Sequence, residues 1–258
     1  CMAKKIPQVW LDWILENVSL GVDLDDIYYT LVQNGFDKNQ INTVLNNYKP
    51  KKKLDDSLLD KDKIIKKNVK EFKKRFKEIP SYTEIGFTKQ KLPKEIHQKI
   101  NKFYKSNLLN KQEENVAGGY IHNVYENKES SITIELPEDL RNEIHTSIQS
   151  LIEEWSGLSL LPTYVYGVRM YLDGAILNSH RDREETHIIG TIINIDQKVH
   201  DDWYLEIEDH QKNIHNVLLE PREMIFYESA TLKHGRPEPL SGEYYSNVFC
   251  HYMPKMVS

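Results

Sequence analysis

The chain of 258 residues is poor in cysteine, in long apolar runs and in net positive charge. Its two cysteines are Cys1 and Cys250, so a disulfide framework is not expected and a reducing cytoplasm is the default location. No stretch approaches the roughly 18 continuous apolar residues needed to span a bilayer, so no membrane partner is expected. The first residues, Cys1-Met2-Ala3-Lys4-Lys5, have no apolar core after their lysines, which argues against an export signal. A net charge of −5 supplies no general attraction to nucleic acid. There is no internal repeat and no low-complexity segment. What is present is a globular composition, 39% hydrophobic and 10% aromatic with 15 tyrosines, long enough for one sizeable core plus a small accessory module.

Residues 1–50 read as three short helices. Trp10, Trp13, Ile14 and Val18 recur at helical spacing. Asp23 or Asp25 can cap a second helix carrying Ile27, Tyr28, Leu31 and Val32, which Gly35 ends. Asp37, with Gln40 three residues on, resembles a capping box opening a third helix with Ile41, Val44 and Leu45. The Asn34-Gly35-Phe36 turn is weakly similar to ubiquitin-associated three-helix modules; the plainer expectation is a small docking module for a protein partner. Residues 51–80 hold twelve Lys or Arg against six Asp or Glu. Leu54, Leu58, Leu59, Ile64, Ile65, Val69, Phe72 and Phe76 are interleaved at the spacing of an amphipathic helix. A basic helix can lie on nucleic acid, but more often such a run is the solvated face of a helix packed on its own protein. Residues 81–258 form the remaining domain, with a turn at Gly118-Gly119 and a helix from about 138 to 155 introduced by Leu136-Pro137-Glu138-Asp139.

Beyond residue 160 the pattern changes to short apolar runs between Gly, Pro and Asp-rich turns: Tyr164 to Leu172, Ile188 to Ile195, Trp203 to Ile207, Met224 to Tyr227 and Tyr244 to His251. Such spacing suggests strands of a barrel or sandwich. Gly174 marks a turn ahead of His180-Arg181-Asp182, and His234 follows Asp182 by 52 residues within His234-Gly235-Arg236-Pro237. Two imidazoles and a carboxylate are the ligand set of a non-haem Fe(II) facial triad. A His-x-Asp pair alone is weak among ten histidines and 39 acidic residues; its place at predicted strand ends strengthens it. His187, His200, His210, His215 and His251 have no partner at ligand spacing and are expected to be structural, with His187 and His251 the likeliest to lie near the metal.

From about Tyr164 to Pro254 the chain resembles the 2-oxoglutarate and Fe(II)-dependent dioxygenases of the prolyl 4-hydroxylase type, especially members of marine microbial and algal origin with a His-Gly-Arg-Pro motif. Tyr171-x-x-Gly174 followed by His180-x-Asp182, and Pro221-x-x-Met224-Ile225-Phe226-Tyr227 ahead of His234, carry the resemblance. It implies an α+β fold, a double-stranded β-helix (jelly-roll or cupin-like barrel) buttressed by helices, with the small N-terminal helical module apart. It further implies that His180, Asp182 and His234 hold Fe(II), with 2-oxoglutarate and O2 as co-substrates and succinate and CO2 as products. An acidic ligand at Asp182 favours hydroxylation over halogenation. Tyr171 matches the tyrosine that contacts the co-substrate. The family's Lys or Arg ten residues after the distal histidine is here Tyr244, with Ser246 two further on. The cation for the distal carboxylate is then expected from Arg236, or second from Arg169 on the strand face of Tyr171; the alternative for Arg236 is an ion pair with Glu238 or Glu243. Arg183, Trp203 and Asn247 are guesses for the open, substrate side.

The leading expectation is therefore a cytoplasmic hydroxylase acting on a peptide, a protein residue or a free amino acid. A binding or sensing protein that keeps the metal but turns over weakly is the alternative, motivated by the missing cation at Tyr244. A nucleic-acid demethylase of the same superfamily rests only on the basic run at 51–80.

Overall fold

The computed structural model describes residues 6–19, 22, 24–46, 56–114 and 119–256; Asp23, Leu54 and Gly118, named above, lie outside them. The chain divides into two compact units, Cys1–Leu59 and Asp60–Ser258. Among the described residues no helix is long and apolar enough to cross a membrane.

The first unit contains α1 (Gln8–Ser19), α2 (Leu24–Gln33) and α3 (Lys38–Asn46). Helices this short are marginal alone and depend on tertiary packing. Here Ile14, Ile27, Leu31 and Ile41 are fully buried together, and Phe36 packs edge-on against Trp10 with ring centroids 5.2 Å apart. Asp37 caps α3, its carboxylate accepting the backbone N–H groups of Asn39 and Gln40 at 3.0 and 3.1 Å. Asp25 falls inside the first turn of α2 and is not its cap. Gly35 leaves α2 with φ +82°, a conformation that costs glycine nothing.

In the second unit α4 (Asp56–Arg75) occupies most of the basic stretch. Ile65 and Phe72 are buried, and Asn68 bonds the backbone of Pro254 and Met256, so this helix lies on its own domain. Then come β1 (Phe87–Lys91), α5 (Lys94–Ser106), a 3₁₀ turn at Leu108–Asn110, β2 (Gln112–Glu113), β3 (Ile121–Asn123), β4 (Ser131–Ile134) and α6 (Glu138–Ser156). Pro137 precedes α6 without a side-chain cap, and Gly157 ends it in the left-handed region at φ 69°. The remaining strands are β5 (Leu160–Val165), β6 (Val168–Leu172), β7 (Ala175–His180), β8 (Ile189–Val199), β9 (Leu205–Glu208), β10 (Ile214–Val217), β11 (Glu223–Tyr227), β12 (His234–Arg236) and β13 (Gly242–Pro254).

These strands form two antiparallel sheets, a larger one ordered β1-β11-β8-β13-β6-β4-β2 with β5 also on β13, and a smaller one ordered β10-β9-β12-β7-β3. One core lies between them, built from residues of both sheets such as Tyr171, Leu177, Ile192, Ile207 and Tyr245. A second core lies on the other face of the larger sheet, where Ile96 and Ile100 of α5 and Ile144, Ile148 and Ile152 of α6 pack with Ile193, Phe226 and Val248. This is the α+β double-stranded β-helix with buttressing helices; the sheets face one another without closing into one barrel.

Along α6, His145 is buried, its Nε2 3.2 Å from the His251 carbonyl, and the Tyr252 hydroxyl donates to the His145 carbonyl. Burial, helped by nearby Lys61, pushes the imidazole down to about 4. Between that value and the ordinary 6.5 the unfolded chain binds a proton that the folded chain refuses, so stability falls as pH drops through this window. His145→Gln should flatten the acid side of the stability curve by roughly 3 kcal/mol at about 1.4 kcal/mol per pK unit, as read from urea midpoints between pH 7 and pH 4. An unchanged acid limb would assign the acid sensitivity to other groups.

Candidate metal centre

Antiparallel pairing of β12 with β7 sets His234 directly opposite His180. The chain then leaves β7, and the Asp182 N–H donates to the Ser229 carbonyl at 2.9 Å, which brings the carboxylate back toward both rings. Each histidine uses one nitrogen to fix itself: Nδ1 of His180 donates to the Asn178 carbonyl at 2.8 Å, and Nδ1 of His234 to the Leu232 carbonyl at 3.0 Å. Both Nε2 atoms are thereby left as lone-pair donors. Asp182 divides its oxygens in the same way. Oδ2 accepts the Tyr227 hydroxyl at 3.1 Å, while Oδ1 lies 3.7 Å from Nε2 of His180 and 3.7 Å from Nε2 of His234. All three ligand atoms fall within 4.8 Å of one another. Three donor atoms of these types facing one another at this spacing could hold one metal ion.

Electrostatics support that use. Burial pushes the Asp182 carboxyl up, but the imidazoles of His234, His251, His187 and His180 outweigh it and hold the group below its ordinary value. Burial pushes His234 down, keeping the imidazole neutral. An ionised carboxylate and neutral imidazoles are the forms that bind a metal, and this donor set suits Fe(II).

Around the triad lies a cavity of about 340 Å³. Tyr171, Arg169 and Arg183 line it together with Tyr120, Tyr166, Tyr227, His187 and His251. The Tyr171 hydroxyl is buried without a hydrogen-bond partner among the described residues. His187 and His251 stack with centroids 3.9 Å apart, and burial pushes His187 down to about 4. The Tyr166 hydroxyl is 2.9 Å from Nε2 of His187. His251 Nδ1 lies 3.8 Å from Asp182 Oδ2 and has no hydrogen bond. His210 and His215 are elsewhere, on Glu228 and Asp209.

Four expectations are corrected. Tyr244 and Ser246 point away from the cavity: Tyr244 donates to Asp196 at 3.3 Å, and the Ser246 hydroxyl is 3.0 Å from that of Tyr104 on α5. Side chains alternate along a strand, and Tyr245 and Phe249 are the β13 residues that enter the inter-sheet core. Asn247 is buried within the sheet, receiving the Asn194 side chain at 3.3 Å, and does not line the cavity. Trp203 is not at the open side. It is 2% exposed, donates to the Glu238 carbonyl, and lies edge-on to both Tyr171 and Tyr245. Arg236 is 1% exposed and sits between the rings of Trp203 and Tyr245, 4.5 and 4.4 Å from their centroids. It donates to the Trp203 carbonyl and, at 3.2 Å, to the Tyr245 hydroxyl. The alternative ion pairs do not form, since Glu243 pairs with Lys198 and Glu238 is exposed. Arg169, in contrast, already has an anion in Glu114.

No family model matches the chain, and no curated protein matches it. Among solved structures, the α-ketoglutarate-dependent epimerase SnoN from nogalamycin biosynthesis is similar at 10% identity and TM-score 0.50, over 74% of this chain and 83% of that one. A prolyl-4-hydroxylase from Pseudomonas putida is similar at 11% identity and TM-score 0.49, over 74% and 100%. HygX from Streptomyces hygroscopicus, solved with nickel, 2-oxoglutarate and hygromycin B, is similar at 11% identity and TM-score 0.47, over 67% and 85%. At such identities the likeness speaks to the fold alone, the double-stranded β-helix.

His180→Ala, Asp182→Ala and His234→Ala should each abolish the rise in thermal midpoint that Fe(II) or Mn(II) gives the unaltered protein, while circular dichroism stays native. Losing one of three ligands leaves an incomplete cage. Wild-type metal content in all three variants would remove the triad from the argument.

Proposed function

We propose that the chain is an Fe(II)- and 2-oxoglutarate-dependent oxygenase that hydroxylates a C–H bond of a peptide, a protein residue or an amino acid. The observation that carries this reading is the convergence of two Nε2 atoms and Oδ1 in a cavity, with each ligand's remaining polar atom already bonded. His180, Asp182 and His234 would hold the metal, which would supply activation of 2-oxoglutarate and O2 there. The protein's own part is to orient His180 and His234 with Nε2 toward the ion, favour the neutral form of His234 and the ionised form of Asp182, and supply charge for the carboxylate of 2-oxoglutarate that is far from the metal.

Arg236 is our choice for that charge. It is a buried cation whose described partners are a carbonyl, a phenol and two aromatic faces, with no carboxylate among them. A buried charge without a counterion is costly, and a dianionic co-substrate relieves that cost. Arg236 is not itself among the residues that line the cavity; Tyr171 lines it, and the Tyr171 ring packs on Trp203, which covers the guanidinium. On this reading Arg236 stands in for the cation missing at Tyr244.

Arg236→Ala should raise the dissociation constant for 2-oxoglutarate, measured by calorimetry with Mn(II) present, by about tenfold or more, equal to ~1.4 kcal/mol. Metal affinity should change far less. A large effect from Arg169→Ala with none from Arg236→Ala would transfer the role to β6. The three-helix module at 1–50 fits a protein partner that raises the local concentration of a large substrate. Deleting it should leave substrate-free 2-oxoglutarate turnover in place; a soluble, folded truncation that no longer binds metal or co-substrate would mean those helices complete the site.

A further inference from the structure

Arg169, Arg181 and Arg183 are among the residues that line the cavity, beside Asp182 of the triad; the Arg181 guanidinium is turned to the Thr231 carbonyl and Glu208. On the reading proposed above, the two carboxylates of 2-oxoglutarate go to the metal and to Arg236, and neither uses Arg169. Arg169 is the best defined of the three. Its Nε and Nη2 each lie 2.6 Å from a different oxygen of Glu114, a two-pronged pair, and its guanidinium carbon is 5.0 Å from the ring centre of Phe249 and 5.9 Å from that of Tyr171. The fork is therefore held in a fixed plane on the cavity wall, already shaped around a carboxylate.

Glu114 is the more weakly held partner. It follows β2, a two-residue strand at the edge of the larger sheet, and apart from Arg169 its side chain receives the Ser131 hydroxyl at 3.0 Å. We propose that Arg169 anchors a free carboxylate of the primary substrate, and that Glu114 holds the anchor until that carboxylate takes its place. Exchanging one carboxylate for another on the same fork conserves both charge-assisted bonds. A neutral amide or ester offers no such compensation and leaves Glu114 in place, so the pair selects for the anion by rejecting the uncharged analogue. The size of the cavity favours a small acid: about 340 Å³ lies near the lower end of the ~300–1,000 Å³ of ordinary ligand sites, and it must also admit the co-substrate. The substrate class that follows is a small molecule with a free carboxylate, of which free amino acids are the commonest, in preference to an internal residue of a protein.

The test uses the full chain with Mn(II) and saturating 2-oxoglutarate, and compares the common L-amino acids with their carboxamides by calorimetry. At least one amino acid should bind tenfold or more tightly than its amide. Arg169→Gln should erase that preference while leaving the dissociation constant for 2-oxoglutarate within about twofold. Glu114→Gln should tighten the same amino acid several-fold, because the competing charge is gone. Since Arg169→Gln strands a buried carboxylate, the double variant Arg169→Gln/Glu114→Gln, which restores a neutral hydrogen-bonded pair, provides the same comparison in a stable background. Absence of any amino-acid binding, or equal binding of acid and amide, overturns the proposal. So does an Arg169→Gln protein that loses 2-oxoglutarate as severely as the amino acid. Failure of the unaltered protein to bind Mn(II) and 2-oxoglutarate would instead overturn the oxygenase reading itself.

Discussion

Where β12 crosses β7, a Cβ on Gly235 would meet the Leu177 carbonyl oxygen and the Ser179 Cα at 2.8 Å, and the Ser179 nitrogen at 2.9 Å. Those atoms are backbone and cannot move aside cheaply. The contact sets how far His234 stands from His180, because the two histidines are cross-strand partners whose ring centroids are 4.5 Å apart. A wider gap between the strands would carry one imidazole away from Asp182 Oδ1. The same crossing directs Arg236 inward. His234 and Arg236 lie two residues apart on one strand, and the register shift between them lets both enter the core between the sheets at different depths. Ligand geometry and the buried cation thus rest on one close backbone approach.

Two arginines near Tyr171 show how differently a protein can hold the same charge. Arg169 is neutralised within the chain by Glu114. Arg236 is stabilised by a carbonyl dipole, a phenol and the faces of Trp203 and Tyr245. Aromatic faces attract a desolvated cation by ~2 kcal/mol or more, which makes the arrangement tolerable without an anion but does not neutralise it. A site built this way keeps a standing preference for negative charge, whereas a site like Arg169 binds an anion only by exchange. On the proposed reading, the first would suit a co-substrate that every turnover requires and the second discrimination among substrates.

The candidate triad was legible in the sequence because its signal is local. His180 and Asp182 are two residues apart on a strand end, and His234 begins a short segment bracketed by glycine and proline. The strand Tyr164 to Leu172 proved to be two, separated at Tyr166 and Gly167, where a Cβ on Gly167 would meet the Ile134 carbonyl at 2.6 Å. That contact comes from a strand some thirty residues earlier and leaves no local trace. β1 and β10 were invisible for a different reason: as edge strands with largely exposed faces, Phe87–Lys91 and Ile214–Val217 lack the buried alternation that marks a strand. The Glu114–Arg169 pair spans 55 residues and has no motif at all.

The misplacement of Tyr244 and Ser246 has a definite origin in β13. Counting ten residues from His234 reaches the right strand, but the register with β8 shifts between Gly242 and Tyr244 and again between Ser246 and Asn247. A shift of one residue sends a side chain to the opposite face. The residue that reaches the core at this level is Tyr245, which accepts from Arg236 and donates to the Leu219 carbonyl at 3.0 Å. Its ring and hydroxyl flank the guanidinium that β12 delivers. The phenol on one strand therefore depends on the arginine on another, and neither alone would make a polar pocket in this core. β13 meanwhile uses its other face to bind the helices, through Ser246 to Tyr104 and through Val248 and Cys250 in the outer core. A substitution on that outer face would act on the site only through the strand's register, whereas Tyr245 and Arg236 act through charge and hydrogen bonding at the inner face.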